Sequence, residues 1–299
     1  MYTTSDHIQD FLAEKSREGL SPHTLSYYRI ALHKLVTFLE NEIGAGCAIE
    51  DVQSAHLRRY MASIQESLSP GGVHARLRAV RAFCNWLVED GTLAVSPMRR
   101  LRLPRLPVEE LQVVTTEMLR KLLRAAKSSA KPLRNEAILL TLFDSGLRAS
   151  ELVALKTCSV MTGGFLHVVQ GKGRKDRVVP VSRSVVKALH RYMRLERPAS
   201  GLDTLLLGHG GEGLTRSGLT KLLNRLCQDA RIDQFSAHAF RRGFVVAYLT
   251  NNGDPFSAKR ILGHSTLTMV DRYAAMGVED LKTVHYRATP VGNLGRNPR

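Results

Sequence analysis

Long apolar runs are missing from this chain. The longest, about Ala137–Phe143, falls far short of the ~20 residues that a bilayer-spanning helix needs, which excludes a helical membrane protein. The first residues, MYTTSDHIQD, hold no basic segment followed by an apolar one, so no secretory signal is expected. Cysteine is sparse: Cys47, Cys84, Cys158 and Cys227 lie far apart with no CxxC pair. That fits reduced thiols in the cytoplasm and excludes a disulfide frame or a zinc ribbon. The 11 histidines form no HExxH, and no GxxxxGK[ST] is present, so neither a zinc protease nor an ATP-driven motor is indicated. Acid is scarce relative to base. Against 43 Lys and Arg stand 27 Asp and Glu, a net charge of +16. A protein this basic, with a pI of about 10.1, has a polyanion as its expected partner.

What is present is ordinary globular composition, 43% hydrophobic and 23% charged, which argues against wholesale disorder. A length of 299 residues suggests two domains. The charge is unevenly spread. Residues 1–96 carry 9 basic and 11 acidic groups, residues 97–107 four arginines and no acid, and residues 108–299 carry 30 basic and 16 acidic groups. A near-neutral front therefore precedes a basic hinge and a basic body.

The front reads as all-helical. Ser21-Pro22 has the form of a helix start with Pro at its first position. Leu25, Tyr28, Leu32, Leu35 and Leu39 then recur at helical spacing, until Gly44-Ala45-Gly46 ends the run. Further helices are expected at 54–65 and 70–89. The last has an apolar stripe of Val73, Leu77, Val80, Cys84 and Leu87, and a second face of His74, Arg78, Arg81 and Asn85 with Arg76 beside it. That face has no acid to pair with before Glu89, which marks it for phosphate or groove contact. Residues 91–110 hold prolines at 97, 104 and 107 and arginines at 99, 100, 102 and 105. Proline favours extended backbone. The segment reads as a basic strap between domains, with an edge strand as the alternative.

In the body, helices are expected at about 116–127, 132–144, 183–196, 215–230, 238–252, 255–263 and 266–274. A short helix follows Gly146 in SGLRASELVAL. GFLHVVQ and VVPVS flank the Gly-rich GKGRKDR and read as a β-hairpin. Four islands hold unusual residues: Arg148 after Gly146, Lys172 at the hairpin tip, His238 and Arg241 as an H-x-x-R at a helix start, and His264 with Tyr273 further on. Each alone has an ordinary structural explanation. Together they suit phosphoryl transfer. Two guanidiniums can clamp the non-bridging oxygens of a phosphodiester, imidazoles can donate hydrogen bonds or move a proton, a lysine can protonate a departing alkoxide, and a tyrosine can attack phosphorus. No acid cluster suited to Mg²⁺ stands out, and two arginines with a lysine can supply a metal's electrostatic stabilisation. No metal, nucleotide or other cofactor is therefore expected.

SGLRASEL, GKGRKDRVVP, HxxR, LGHS and the final Tyr occur in the order and approximate spacing of the tyrosine recombinase (phage integrase) family. SPHTLSYYRIAL is similar to the start of that family's helical core-binding domain. The chain resembles the family over nearly its whole length, and the Xer recombinases in particular. The resemblance implies a mainly α fold with a small β-sheet. It would comprise a core-binding (SAM-like) domain at 1–95, a basic linker at 96–110, an α+β catalytic domain at 111–275, and a tail at 276–299 that docks on a neighbouring protomer or frays.

It also implies roles. Arg148 and Arg241 hold the scissile phosphate, Lys172 protonates the leaving 5′ oxygen, and His238 accepts the nucleophile's proton or partners it. His264 bonds a non-bridging oxygen, Tyr273 forms the 3′-phosphotyrosine, and Glu151 supports the site. DNA contacts are expected from His74, Arg76, Arg78, Arg81, Arg99, Arg100, Arg102, Arg174, Lys175 and Arg242. The sequence departs from the common H-x-L-R-H form at Phe240 and Arg242, which leaves the partner of Arg242 open. The implied partners are double-stranded target DNA and a homo- or hetero-tetramer of protomers on two sites, in the cytoplasm at the nucleoid, with no membrane. The implied role is chromosome or plasmid dimer resolution. Alternatives are an integrase of a phage, plasmid or transposon and, more remotely, an inactive DNA-binding relative or a type IB topoisomerase-like enzyme.

Overall fold

The computed structural model describes residues 2–104, 112–169 and 176–263. The chain divides into two compact units, Met1–Glu109 and Glu110–Arg299. The first is a four-helix unit of α1 (Thr4–Arg17), α2 (Pro22–Ile43), α3 (Ser54–Gln65) and α4 (Pro70–Glu89). Their starts are set locally. The Ser21 and Ser69 side chains accept from the backbone N–H of Thr24 and Gly72, each with Pro at the next position. Thr3 and Asp6 form a reciprocal capping box. The apolar stripe expected on α4 is the stripe that is buried: Val73, Leu77, Val80, Cys84 and Leu87 join Leu32, Leu35 and Leu39 of α2 in one core. Phe11 of α1 meets Phe83 and Trp86 of α4 edge-on, ring centroids 5.6 Å apart in each case.

The segment after α4 departs from the extended strap. Residues 97–100 form a turn, and Met98 and Leu101 are buried in the core of the first unit. Ser54 Oγ donates to the Pro97 carbonyl at 2.7 Å, and Arg81 Nη2 to the Leu101 carbonyl at 2.8 Å. The apolar residues among the arginines decide this conformation, because burying Met98 and Leu101 outweighs the proline preference for extended chain. Arg99, Arg100 and Arg102 are left on the surface. Arg105 lies outside the described residues.

The second unit is built around α6 (Pro132–Ser145), which packs against α5 (Thr116–Lys127), α8 (Arg183–Leu195) and α10 (Ala237–Thr250). Ala137, Ile138, Leu139, Thr141 and Leu142 are all buried, the all-round burial of a helix at a domain's centre. The short α7 (Ala149–Val153), α9 (Arg216–Asp229) and α11 (Pro255–Leu262) complete the described helices. The expected hairpin is present as β2 (Phe165–Val168) and β3 (Arg177–Pro180), antiparallel, with Leu166 opposite Val179 and Val168 opposite Arg177. A third strand, β1 (Val160–Met161), pairs with β2. At two residues it is too short to carry a legible alternation. Leu166, Val168 and Val179 face the core, while Phe165 and Val178 face outward. The helix expected at 266–274 and the tail at 276–299 lie outside the described residues.

Gly146 ends α6 in the left-handed conformation, φ +60°. A Cβ there would sit 2.7 Å from side-chain carbons of both Leu262 and Phe244. Gly146→Ala is expected to cost about 1–3 kcal/mol, read as a lower melting temperature in thermal denaturation.

Candidate active site

Gly146 turns the chain out of α6 and delivers Arg148 to the N-cap of α7. There the Arg148 backbone N–H donates to Glu151 Oε2 at 2.8 Å, and its Nη1 donates to Glu151 Oε1 at 2.8 Å. The Glu151 side chain is 9% exposed and that of Arg148 is 28% exposed. Glu151 is thus tied to the arginine it was expected to support. A second arginine, not singled out by the sequence, holds the same carboxylate. Arg177, at the start of β3, places Nη1 3.0 Å from Oε1 and Nη2 2.9 Å from Oε2. Its Nε donates to the Ile261 carbonyl at 2.9 Å. A signal for it existed. In RVVPV, Arg177 shares a strand face with Val179, so the alternation puts a charge on the buried side, where it requires a partner.

Desolvation on its own would raise the Glu151 pKa. The bonds from Arg177, then those from Arg148, outweigh it and hold the carboxyl at about 2. The folded value lies below the ordinary 4.5, so the stabilisation is fully present above that pH and is lost as the pH falls through the folded value.

His238 and Arg241 stand one turn apart at the start of α10. Arg241 is 2% exposed, with Nη1 donating to the Gly146 carbonyl at 2.6 Å and Nη2 to that of Leu262 at 2.7 Å. The Gly146 bond draws Arg241 to the turn that carries Arg148, across 95 positions of sequence. His238 reaches solvent, yet the protein around its ring strips part of its hydration. That desolvation, then the positive charges of Arg242, Arg241 and Arg148, lower its pKa below 6.5. The ring is accordingly neutral at physiological pH and able to accept a proton.

Arg242 finds a structural partner: its Nε donates to the Gln112 carbonyl at 2.6 Å. On α4, Arg78 is exposed, and His74, Arg76 and Arg81 are half-buried. Arg81 is the residue bonded to Leu101, and Arg76 lies beside the buried Tyr60 hydroxyl. Lys172, Arg174, Lys175, His264 and Tyr273 lie outside the described residues. Among the described residues no group of His, Cys, Asp or Glu could hold a metal ion, and no helix is long and apolar enough to cross a membrane.

Residues 112–279 match the model of the phage integrase family, and residues 4–91 match the phage integrase N-terminal SAM-like domain. The chain belongs to the phage integrase family, the tyrosine recombinases that cleave and rejoin DNA through a tyrosine intermediate. Within that class it is a site-specific DNA recombinase of the Xer type. It is 30% identical to the tyrosine recombinase XerD of Listeria monocytogenes over 96% of this chain and 99% of that protein. Its fold is similar to that of the Tn1549 transposon integrase in complex with circular intermediate DNA (TM-score 0.76, 18% identity, 95% of this chain and 99% of that one). It is also similar to the lambda integrase tetramer bound to a Holliday junction (TM-score 0.74, 16% identity, 90% of this chain and 79% of that one).

Glu151→Gln is expected to lower the melting temperature at neutral pH. The gap should narrow as the pH falls from about 4.5 towards 2, because across that range the carboxylate gains its proton in the unfolded chain while it is still ionised in the folded one. Thermal melts of the two proteins over a pH series check this.

Proposed function

We propose that the chain recombines a short duplex DNA site through Tyr273. The observation that carries this reading is the convergence of Arg148, His238 and Arg241, from α7 and α10, around the Gly146 turn. In the cleavage step the Tyr273 oxygen bonds to the scissile phosphorus and the bond from phosphorus to the 5′ oxygen breaks. The tyrosine proton passes to neutral His238, and the leaving 5′ oxygen takes a proton from Lys172. The product is a 3′-phosphotyrosine and a free 5′-hydroxyl. A 5′-hydroxyl from a second strand then reverses the step on a new partner. One phosphate ester replaces another of similar energy, so no nucleotide is consumed. Arg148 and Arg241 carry the electrostatic work, placing positive charge where the non-bridging oxygens gain negative charge. A guanidinium has five N–H donors, enough for Arg241 to serve two carbonyls and a phosphate. His264 adds a further donor to those oxygens.

The charge distribution supports DNA as the partner. The exposed Arg78, Arg99, Arg100 and Arg102 of the front unit, together with Arg174 and Lys175, suit contact with phosphates along the duplex. Affinity should therefore fall steeply with salt. A structural neighbour that is a tetramer on a Holliday junction and a nearly full-length Xer relative support four protomers acting on two sites, in chromosome or plasmid dimer resolution.

Tyr273→Phe should bind its DNA site with unchanged affinity and yield no covalent complex on a nicked suicide substrate. A covalent adduct from that variant would refute the nucleophile. Cleavage by the wild-type protein should persist in EDTA, and strict dependence on added metal would count against the arginine-based site. The pH profile of cleavage should show an acid limb with an apparent pKa below 6.5. Arg242→Gln, which removes a positive charge beside His238, should move that limb upward. A limb that stays in place would assign it to another group.

A further inference from the structure

We infer that Arg177 is a positioning residue for strand cleavage. It occupies Glu151 so that Arg148 keeps its charge and its remaining donors for the scissile phosphate. The inference rests on the phosphotyrosine reading above and deepens it.

A carboxylate has about four lone-pair positions. Glu151 receives four donors: two from the Arg177 fork, one from Arg148 Nη1 and one from the Arg148 backbone. The Arg177 contact is the two-point fork that suits arginine and carboxylate best. It leaves room for only one side-chain bond from Arg148. Among the described residues the Arg148 side chain donates to nothing else. Without Arg177, Glu151 would have both oxygens open to Arg148. The two would close into a fork of their own, and a buried pair of that kind carries no net charge. With Arg177 present, Arg148, Glu151 and Arg177 together carry a net positive charge beside the Gly146 turn.

The position of Arg177 also joins three segments. Its own strand follows directly on GKGRKD, the stretch holding Lys172. Glu151 belongs to α7, which carries Arg148. Ile261, whose carbonyl takes the Arg177 Nε–H, lies in the last turn of α11, three residues before His264. Arg177 thus ties the start of β3 to α7, which follows Arg148, and to the last turn of α11. The side chain is 10% exposed, too enclosed to act as a DNA-contacting arginine itself.

Arg177→Lys keeps the charge but cannot cover both carboxylate oxygens and the Ile261 carbonyl. On a nicked suicide substrate its rate of covalent complex formation should fall about 10–100-fold. Affinity for the DNA site should stay within about twofold, because the lost contacts serve the transition state. The decisive comparison uses a substrate with a methylphosphonate at the scissile position, which lacks the charge that Arg148 balances. On it, wild type and Arg177→Lys should react at rates within about threefold of each other. An equal deficit on both substrates, or wild-type rates on the ordinary one, would overturn the inference while leaving Tyr273 chemistry intact. Absence of a covalent complex from the wild-type protein would overturn the phosphotyrosine reading and this inference with it. If Arg177→Lys fails to melt cooperatively, the paired variant Glu151→Gln/Arg177→Gln replaces a buried charge pair by two carboxamides. With no carboxylate left to claim Arg148, its loss on the charged substrate should stay below about tenfold, the lower bound for Arg177→Lys, and a larger loss would overturn the inference.

Discussion

A carboxylate shut away from water must be satisfied by its neighbours, and Glu151 draws the catalytic half of this protein together in the process. Its four donors come from the turn after α6 and from the first residue of β3. The arginine on β3 reaches on to the end of α11. Each contact is a charged hydrogen bond in surroundings poor in water, where such bonds are strongest and where losing one partner costs most. The short α7, the start of β3 and the end of α11 are joined through the same requirement. Arg241 repeats the theme on main-chain oxygens, buried with two of its nitrogens on the carbonyls of Gly146 and Leu262.

Much of the architecture was legible because its signals are local. Serine before proline started α2 and α4 where caps are observed. The stripe from Val73 to Leu87 pointed inward, and the β-branched runs about GKGRKDR paired as a hairpin. The family resemblance rested on ordered islands of residues, and the family itself is established independently by the matches of both units. What the sequence hid was of two kinds. Met98 and Leu101 are apolar residues spaced among arginines and prolines, and only the core of the first unit shows that they fold back upon it. Arg177 was hidden because its partner lies 26 residues earlier. A strand pattern can reveal that a charge points inward, but not which opposite charge awaits it.

The distribution of positive charge reads differently once burial is known. Arg81, Arg177, Arg241 and Arg242 all donate to main-chain carbonyls within their own units. A fraction of the excess that suggested a polyanion is therefore engaged in holding the protein's own backbone. The exposed arginines at 78, 99, 100 and 102 are of another kind, since they have solvent around them and an anion to gain. The net charge is a sum over both populations, and only the second bears on salt-dependent association.

The carbonyls that receive Arg177 and Arg241 have a consequence for how this site tolerates change. Every amino acid brings the same carbonyl, so substitutions at 261 and 262 leave the acceptors in place as long as the helix end keeps its course. Side-chain replacement at 261 would therefore pass over that support and register only Arg177, which uses it. A site fastened to backbone in this way depends on the course of the chain more than on the identity of the side chain at 261.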